Sequence, residues 1–258
     1  VPAPEPRPVL EPRPVLEIAV QDLAGYRIAA EAGAARTELC GALAATGGMT
    51  PSPGLLAALV DERRARTAAG APATGIHVLV RPRPGSFVYD ADELDVQLRD
   101  VRAAVEAGAD GVVVGVLSTD GRVDTRALAA LVEAADGREV TFHRAVDSVE
   151  DPFAVLDALA SAGVTRVLSS GGEARSIDGV RRLAAMVEHT AGAVQIMAGG
   201  GVRPVDIGAL VAAGVDAVHL SASRPVAGDG GPGGGGASGH TVTDADVVAE
   251  AVAALARG

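Results

Sequence analysis

Eight short apolar runs, each closing on a residue able to bind or react, punctuate this chain: VLEIAV (15–20), RTELC (36–40), HVLVRPR (77–83), GVVVG (111–115), VTFHR (140–144), RVLSSGG (166–172), QIMAGGG (195–201) and AVHLSAS (217–223). The stretches between them carry helical spacing. Strand then helix, repeated eight times, predicts an α/β chain folded as a single (β/α)8 TIM barrel, an architecture of about 250 residues. The chain has 258. In that architecture the carboxyl ends of the strands carry the function. The pattern therefore predicts an address for a site as well as a fold.

Parallel strands covered on both faces should read as unbroken apolar runs. Several of these do not. Glu17 and Ala19 alternate with Leu16, Ile18 and Val20; Glu38 and Cys40 share a face opposite Leu39; His77, Leu79 and Arg81 alternate with Ile76, Val78 and Val80. Thr141 with His143, Gln195 with Met197, and Ala217 with His219 behave alike. Side chains alternate along a strand with period two, so one set must face the lumen while the apolar set packs on the helices. Charges inside a barrel are costly unless paired or acting on a ligand. The lumen near the top is expected to hold Glu17, Glu38, Cys40, Arg81, His143, Met197 and His219.

The helices are signalled as well. Leu94, Leu98, Val101 and Val105 form one stripe between Asp90 and Gly108. Asp151-Pro152 reads as an N-cap with proline at the first helical position, followed by the apolar face Phe153, Leu156 and Leu159. Ile177, Val180, Ala184 and Val187 predict the next helix, and Ile207, Leu210 and Val211 the one after. Gly33, Gly108, Gly163 and Gly214 recur in a similar turn where a helix end needs positive φ. Residues 1–14, where EPRPVL is repeated, read as an extended Pro-rich tail before the barrel domain at 15–258. The Gly-rich stretch 227–239 reads as a flexible loop before the last helix.

Composition narrows the partners. A formal net charge of −11 with only five aromatic residues offers neither the basic face nor the stacking platform that nucleic acid needs. No apolar segment approaches the ~18 residues of a membrane span. The one cysteine, Cys40, cannot form an intramolecular disulfide, which suits a reducing cytoplasm.

Three segments carry chemistry. RPRPG (81–85) holds the Arg81 and Arg83 guanidiniums between prolines, and such forks match carboxylates and phosphates. Internal pairing of Arg81 with Glu38 or Glu17 is the structural alternative. In HRAVD (143–147), His143 is a candidate acid or base with Glu38, Arg144 could bind an anion, and Asp147 could orient either. Ser169, Ser170, Gly171 and Gly172, together with Gly199, Gly200 and Gly201, lie at strand-to-helix turns where backbone N–H groups can meet an anion, although tight turns also select glycine. Cys40 is the one thiol; with Met197 and His219 it makes a soft-donor candidate set.

The segments AARTELC (34–40), GGMTPS (47–52), DGVVVGVL (110–117), VTFHRAVD (140–147), RVLSSGG (166–172) and IMAGGGV (196–202), in this order, resemble the CutC family of copper-homeostasis-associated proteins. The resemblance implies a TIM barrel in the cytoplasm, a homodimer or higher homo-oligomer, and an association with copper. If copper is bound directly, Cu(I) on Cys40 is expected, because thiolate is the softest donor present. A single cysteine puts any scheme with two thiolates in doubt. The other expectation is a barrel enzyme acting on a small phosphorylated or otherwise anionic metabolite held by Arg81, Arg83, Arg144 and the Gly-rich turns.

Overall fold

The computed structural model describes residues 14–228 and 239–257. Residues 1–13 and 229–238, which hold most of the Pro-rich tail and of the Gly-rich loop, lie outside the described residues. Eight parallel strands close into one barrel in chain order: β1 (Val15–Val20), β2 (Arg36–Leu39), β3 (Gly75–Leu79), β4 (Gly111–Val114), β5 (Glu139–Phe142), β6 (Arg166–Ser169), β7 (Gln195–Gly199) and β8 (Ala217–Leu220). β8 pairs back onto β1. Around them run α1 (Leu23–Ala32), α2 (Leu43–Thr46), α3 (Pro53–Ala68), α4 (Ala91–Ala107), α5 (Thr125–Ala134), α6 (Pro152–Ala162), α7 (Val180–Thr190), α8 (Ile207–Ala212) and α9 (Ala245–Leu255). No described helix is long and apolar enough to cross a membrane.

The helix signals act as read at most ends. Asp90 caps α4 in a capping box with Glu93, and Asp151 accepts the N–H groups of Phe153 and Ala154 at the start of α6. Gly108 closes α4 at φ +102°, a conformation that costs glycine nothing. α7 departs from the expectation. It begins at Val180, and its buried face is centred on Leu183 and Met186, with the expected Val180 and Val187 packed beside them and partly buried. The reason is tertiary: the Ser176 N–H and hydroxyl both bond to the Gly200 carbonyl, which holds that segment as a turn against the end of β7. A further difference is the antiparallel hairpin of β9 (Ser223–Val226) and β10 (His240–Thr243), two strands flanking the Gly-rich segment that read as loop. Thr241 accepts a hydrogen bond from the Gln21 amide, tying the hairpin to the end of β1.

The period-two alternation sorts the side chains as expected. Outward residues such as Ile18, Leu39, Ile76, Val112, Phe142 and Ile196 are fully buried under the helices. Inward residues fall into small apolar clusters, Cys40–Leu79–Val113 and Leu168–Met197–Ala217, set among charges. Arg36 and Arg166 are paired there with Glu17 and Glu139. Arg166 is held by Glu139 at 3.0 Å, Gln195 at 2.9 Å and Thr141 at 3.3 Å, so its burial in the barrel is compensated by hydrogen bonds.

Candidate functional site

Three neighbouring strands carry a line of ionisable groups through the lumen, from Arg36 at the start of β2 and Glu17 inside the barrel up to His219 and Glu38 at the carboxyl mouth. Strand register sets Glu17 of β1 beside His219 of β8 on one side and Arg36 of β2 on the other. The Glu17 carboxylate therefore meets His219 Nδ1 at 2.9 Å and Arg36 Nε at 3.0 Å. His219 Nε2 lies 3.4 Å from a Glu38 oxygen. Burial opposes the Glu17 charge, but the His219 hydrogen bond and the Arg36 field overcome it and hold the carboxyl well below its usual range. Burial also opposes the His219 charge, and the Glu17 hydrogen bond with the two carboxylate fields outweighs it, raising the imidazole. Glu38 has no arginine of its own. Burial, reinforced by Glu17 and only partly countered by His219, pushes its carboxyl up to about 7.

Glu38 and His219 open onto a cavity of about 250 Å³ that Arg81, Phe87, His143, Arg144, Gly200 and Gly201 also line. Arg81 pairs with neither Glu17 nor Glu38. Its guanidinium donates to the carbonyls of Thr46 (2.8 Å), Gly48 (2.9 Å) and Gly85 (3.3 Å) and lies 5.3 Å from the Phe87 ring centre. It ties two loops together while keeping its charge beside the cavity.

His143 follows β5 and is 6% exposed. Its Nδ1 accepts the Ala145 N–H at 3.2 Å, which places the ring proton on Nε2. Nε2 is buried and has no hydrogen-bond partner among the described residues. Burial and the Arg81 charge push the imidazole down to about 3, so it is neutral at physiological pH. A Cβ on Gly115 would come within 2.1 Å of the ring, so only glycine admits His143 in this position. Arg144 is oriented by Asp147 (2.8 Å) and Ser170 (2.9 Å), and Gly200, at φ +114°, leaves the space its guanidinium needs.

The predicted anion groups are thus divided. Arg81, Arg144, Gly200 and Gly201 reach the cavity, and Gly199 lies beneath it in β7, packed so closely on Leu168 and His219 that a Cβ would clash. Arg83 lies apart, over the Tyr89 ring and ion-paired with Glu93. The turn at 169–172 is already filled by the chain itself. Asp147 accepts the N–H groups of Ser170 (3.0 Å) and Gly172 (3.2 Å) and the hydroxyls of Ser169 (2.6 Å) and Ser170 (2.9 Å), while the Gly171 N–H goes to Ser169. Sequence reading missed Arg36 and Phe87. Arg36 shares the inward face with Glu38 two positions on, which was a usable signal; Phe87 comes from a loop and had none.

A profile of the CutC family matches residues 14–224. The chain belongs to the CutC family. It is 43% identical to the family protein CutC of Xanthomonas campestris pv. campestris (strain B100) over 212 residues, covering 82% of this chain and 84% of that protein. Identity to the Photobacterium profundum family protein CutC is 38% over 212 residues, 81% of this chain and 82% of that one. Among solved structures, CutC from Streptococcus agalactiae, provisionally named a copper homeostasis protein, superposes with a TM-score of 0.73 at 30% identity, over 81% of this chain and 99% of that one. Deoxyribose phosphate aldolase from Aeropyrum pernix matches with a TM-score of 0.58 at 18% identity, over 80% of this chain and 85% of that one, and shows the shared fold alone.

The family name raises copper, and the donors in this CutC chain do not make a soft-ion centre. Cys40 is wholly buried between Leu79 and Val113, its Sγ faces the Val20 carbonyl at 3.8 Å, and burial followed by the Glu38 charge pushes the thiol up, away from thiolate. Met197 Sδ faces the Arg36 guanidinium at 3.9 Å, and both His219 nitrogens face carboxylates. No group of three His, Cys, Asp or Glu side chains among the described residues is arranged to hold a metal. Competition with a chromophoric Cu(I) chelator under reducing conditions should give the same curve for wild type and Cys40→Ser. Weaker competition by the variant would restore Cys40 as a ligand.

Proposed function

We propose that the barrel mouth is an enzyme-type site that binds a small anionic metabolite and moves a proton on it through Glu38. The observation that carries this reading is the Glu17–His219–Glu38 line, with contacts of 2.9 and 3.4 Å, ending at a cavity that Arg81 and Arg144 also line. A carboxyl near 7 is matched to proton transfer at physiological pH, an effect typically worth about 10²–10⁴ in rate. His219, held by Glu17, fixes the Glu38 carboxylate and polarises it. Arg144 offers a charge-assisted hydrogen bond to an acid group, with Gly200 and Gly201 beside it. The copper-homeostasis name carried by the Streptococcus agalactiae CutC structure then describes a cellular role served by this site rather than by a metal centre on Cys40. The cytoplasm, which keeps the one thiol reduced, is the compartment this reading fits.

Arg144 supplies the test. A charge-assisted bond contributes about 1.5–3 kcal/mol, toward the lower end for Arg144, whose side chain is 42% exposed. Calorimetric titration with inorganic phosphate and with 2-phosphoglycolate should show at least a tenfold loss of affinity in Arg144→Ala. Arg99→Ala, on the outer face of α4 with a side chain 73% exposed, should leave it unchanged. Equal losses in both variants, or no binding by wild type, would reject the site. Arg81→Ala is a poorer probe, because the same guanidinium ties two loops together.

A further inference from the structure

We infer that the cavity is built to enolise a small carbonyl compound, with His143 Nε2–H donating to the carbonyl oxygen while the Glu38 carboxylate removes a proton from the adjacent carbon. This rests on the proton-transfer reading of the same cavity and names its substrate class.

The first support is an unspent donor. His143 is held on every other side: Nδ1 accepts from Ala145, the ring packs against Phe87 with centroids 4.7 Å apart, and Gly115 leaves the gap in which it sits. What remains is one N–H, buried and without an acceptor among the described residues, on a ring that lines the cavity. A buried donor left unpaired costs about 1–3 kcal/mol, so such a group in a cavity marks where a ligand acceptor sits. The donor is also neutral. Burial and the Arg81 charge keep the ring from taking a second proton, so it stays a hydrogen-bond donor to developing negative charge and does not act as a counter-ion.

The second support is what the chain lacks. All 22 of its basic residues are arginine, so no lysine amine exists in these 258 residues to activate a carbonyl as a Schiff base. Polarisation by a preorganised N–H is the route the cavity residues themselves provide. The third is position. Glu38 belongs to β2 and His143 follows β5, three steps around an eight-strand ring, so the two reach the one cavity from different sides. A carbonyl and its neighbouring C–H fit that division.

The step balances without a co-reactant. The C–H bond breaks, its proton goes to a Glu38 oxygen, its electron pair forms the C=C bond, and the carbonyl π pair moves onto the oxygen that His143 holds. Return of the proton to the same carbon exchanges it with solvent. Return to the former carbonyl carbon of an α-hydroxy carbonyl, after proton transfer between its oxygens, isomerises it. The volume of about 250 Å³ is on the order of eight water volumes, suited to a triose-sized compound with one acid group.

The experiment follows deuterium incorporation in D2O by proton NMR, using the full chain with pyruvate, hydroxyacetone phosphate, glycolaldehyde phosphate and dihydroxyacetone phosphate. Wild type should exchange the C–H beside the carbonyl of at least one of these. Glu38→Gln should lose at least 10²-fold, and His143→Leu on the order of 10²–10³-fold, while the calorimetric affinity of His143→Leu for the same probe changes less than tenfold. His143→Gln, whose amide restores a donor, should recover part of the rate. Binding of the probes without exchange overturns the enolisation inference and leaves the anion site standing. Absence of binding overturns both, and equal exchange by His143→Leu and wild type removes His143 from the step.

Discussion

Glu17→Ala should lower the stability of the barrel by roughly 3–5 kcal/mol, the usual cost of removing one partner from a buried ion pair. Glu17 is 0% exposed and is the shared acceptor of Arg36 and His219. Its loss removes the buried acceptor that the Arg36 guanidinium and the His219 ring share. Glu17→Gln, which keeps an acceptor but no charge, should fall between wild type and alanine. Urea unfolding at constant pH reads the effect as a shift in midpoint with an unchanged slope. A loss below about 1 kcal/mol, the scale of a surface pair, would show that Glu17 does not hold the line together, and the geometry assigned to Glu38 would lose its support.

Glu38→Gln should do the opposite at alkaline pH. A carboxyl raised from about 4.3 in the unfolded chain to about 7 in the native one keeps its proton where the unfolded chain has released it. Unfolding then releases a proton, so stability falls as pH rises from about 4.3 through 7, by roughly 3–4 kcal/mol in all. His219 adds to the same slope, because the stability from its raised pKa is present below about 6.5 and is lost as pH rises through the folded value. The glutamine variant should therefore be the more stable protein by roughly 3 kcal/mol at pH 8, with the gap closing toward pH 5, while proton transfer is lost. On the acid side His77, held near 4 by burial, and His143, near 3, refuse protons that the unfolded chain accepts. Stability should fall below about pH 6.5 for that reason, and Glu17 adds to the loss at lower pH still. Denaturant midpoints between pH 4 and 9 should peak near pH 6.5 in wild type. A flat alkaline limb in wild type would remove Glu38 as a raised, strained acid.

The fold was legible because its signals are local. Hydrophobic period, Asp90 and Asp151 as caps, and glycine after α1, α4 and α6 each act within a few residues, and the barrel follows from their eightfold repetition. The same period identified the inward face and with it Glu17, Glu38, Arg81, His143 and His219. Where tertiary contacts reset a local preference, the reading failed. Ser176 bonded to Gly200 begins α7 later than the apolar spacing implied, and β10 pairs with β9 across the Gly-rich segment.

By itself the sequence determined an eight-unit barrel and which side chains enter its lumen, because the 3.6- and two-residue periods are properties of neighbouring residues. Which lumenal charge meets which was decided only when the barrel closed. Glu17 and His219 are separated by 202 residues and share a hydrogen bond because β8 registers on β1. In the same way Asp147 filled the SSGG turn that composition offered to an external anion, and the Arg81 guanidinium turned to three loop carbonyls instead of a carboxylate. A buried donor or charge takes the acceptor that the folded chain brings within about 3 Å, and that distance is set by strand register and loop closure, which no local run of residues contains.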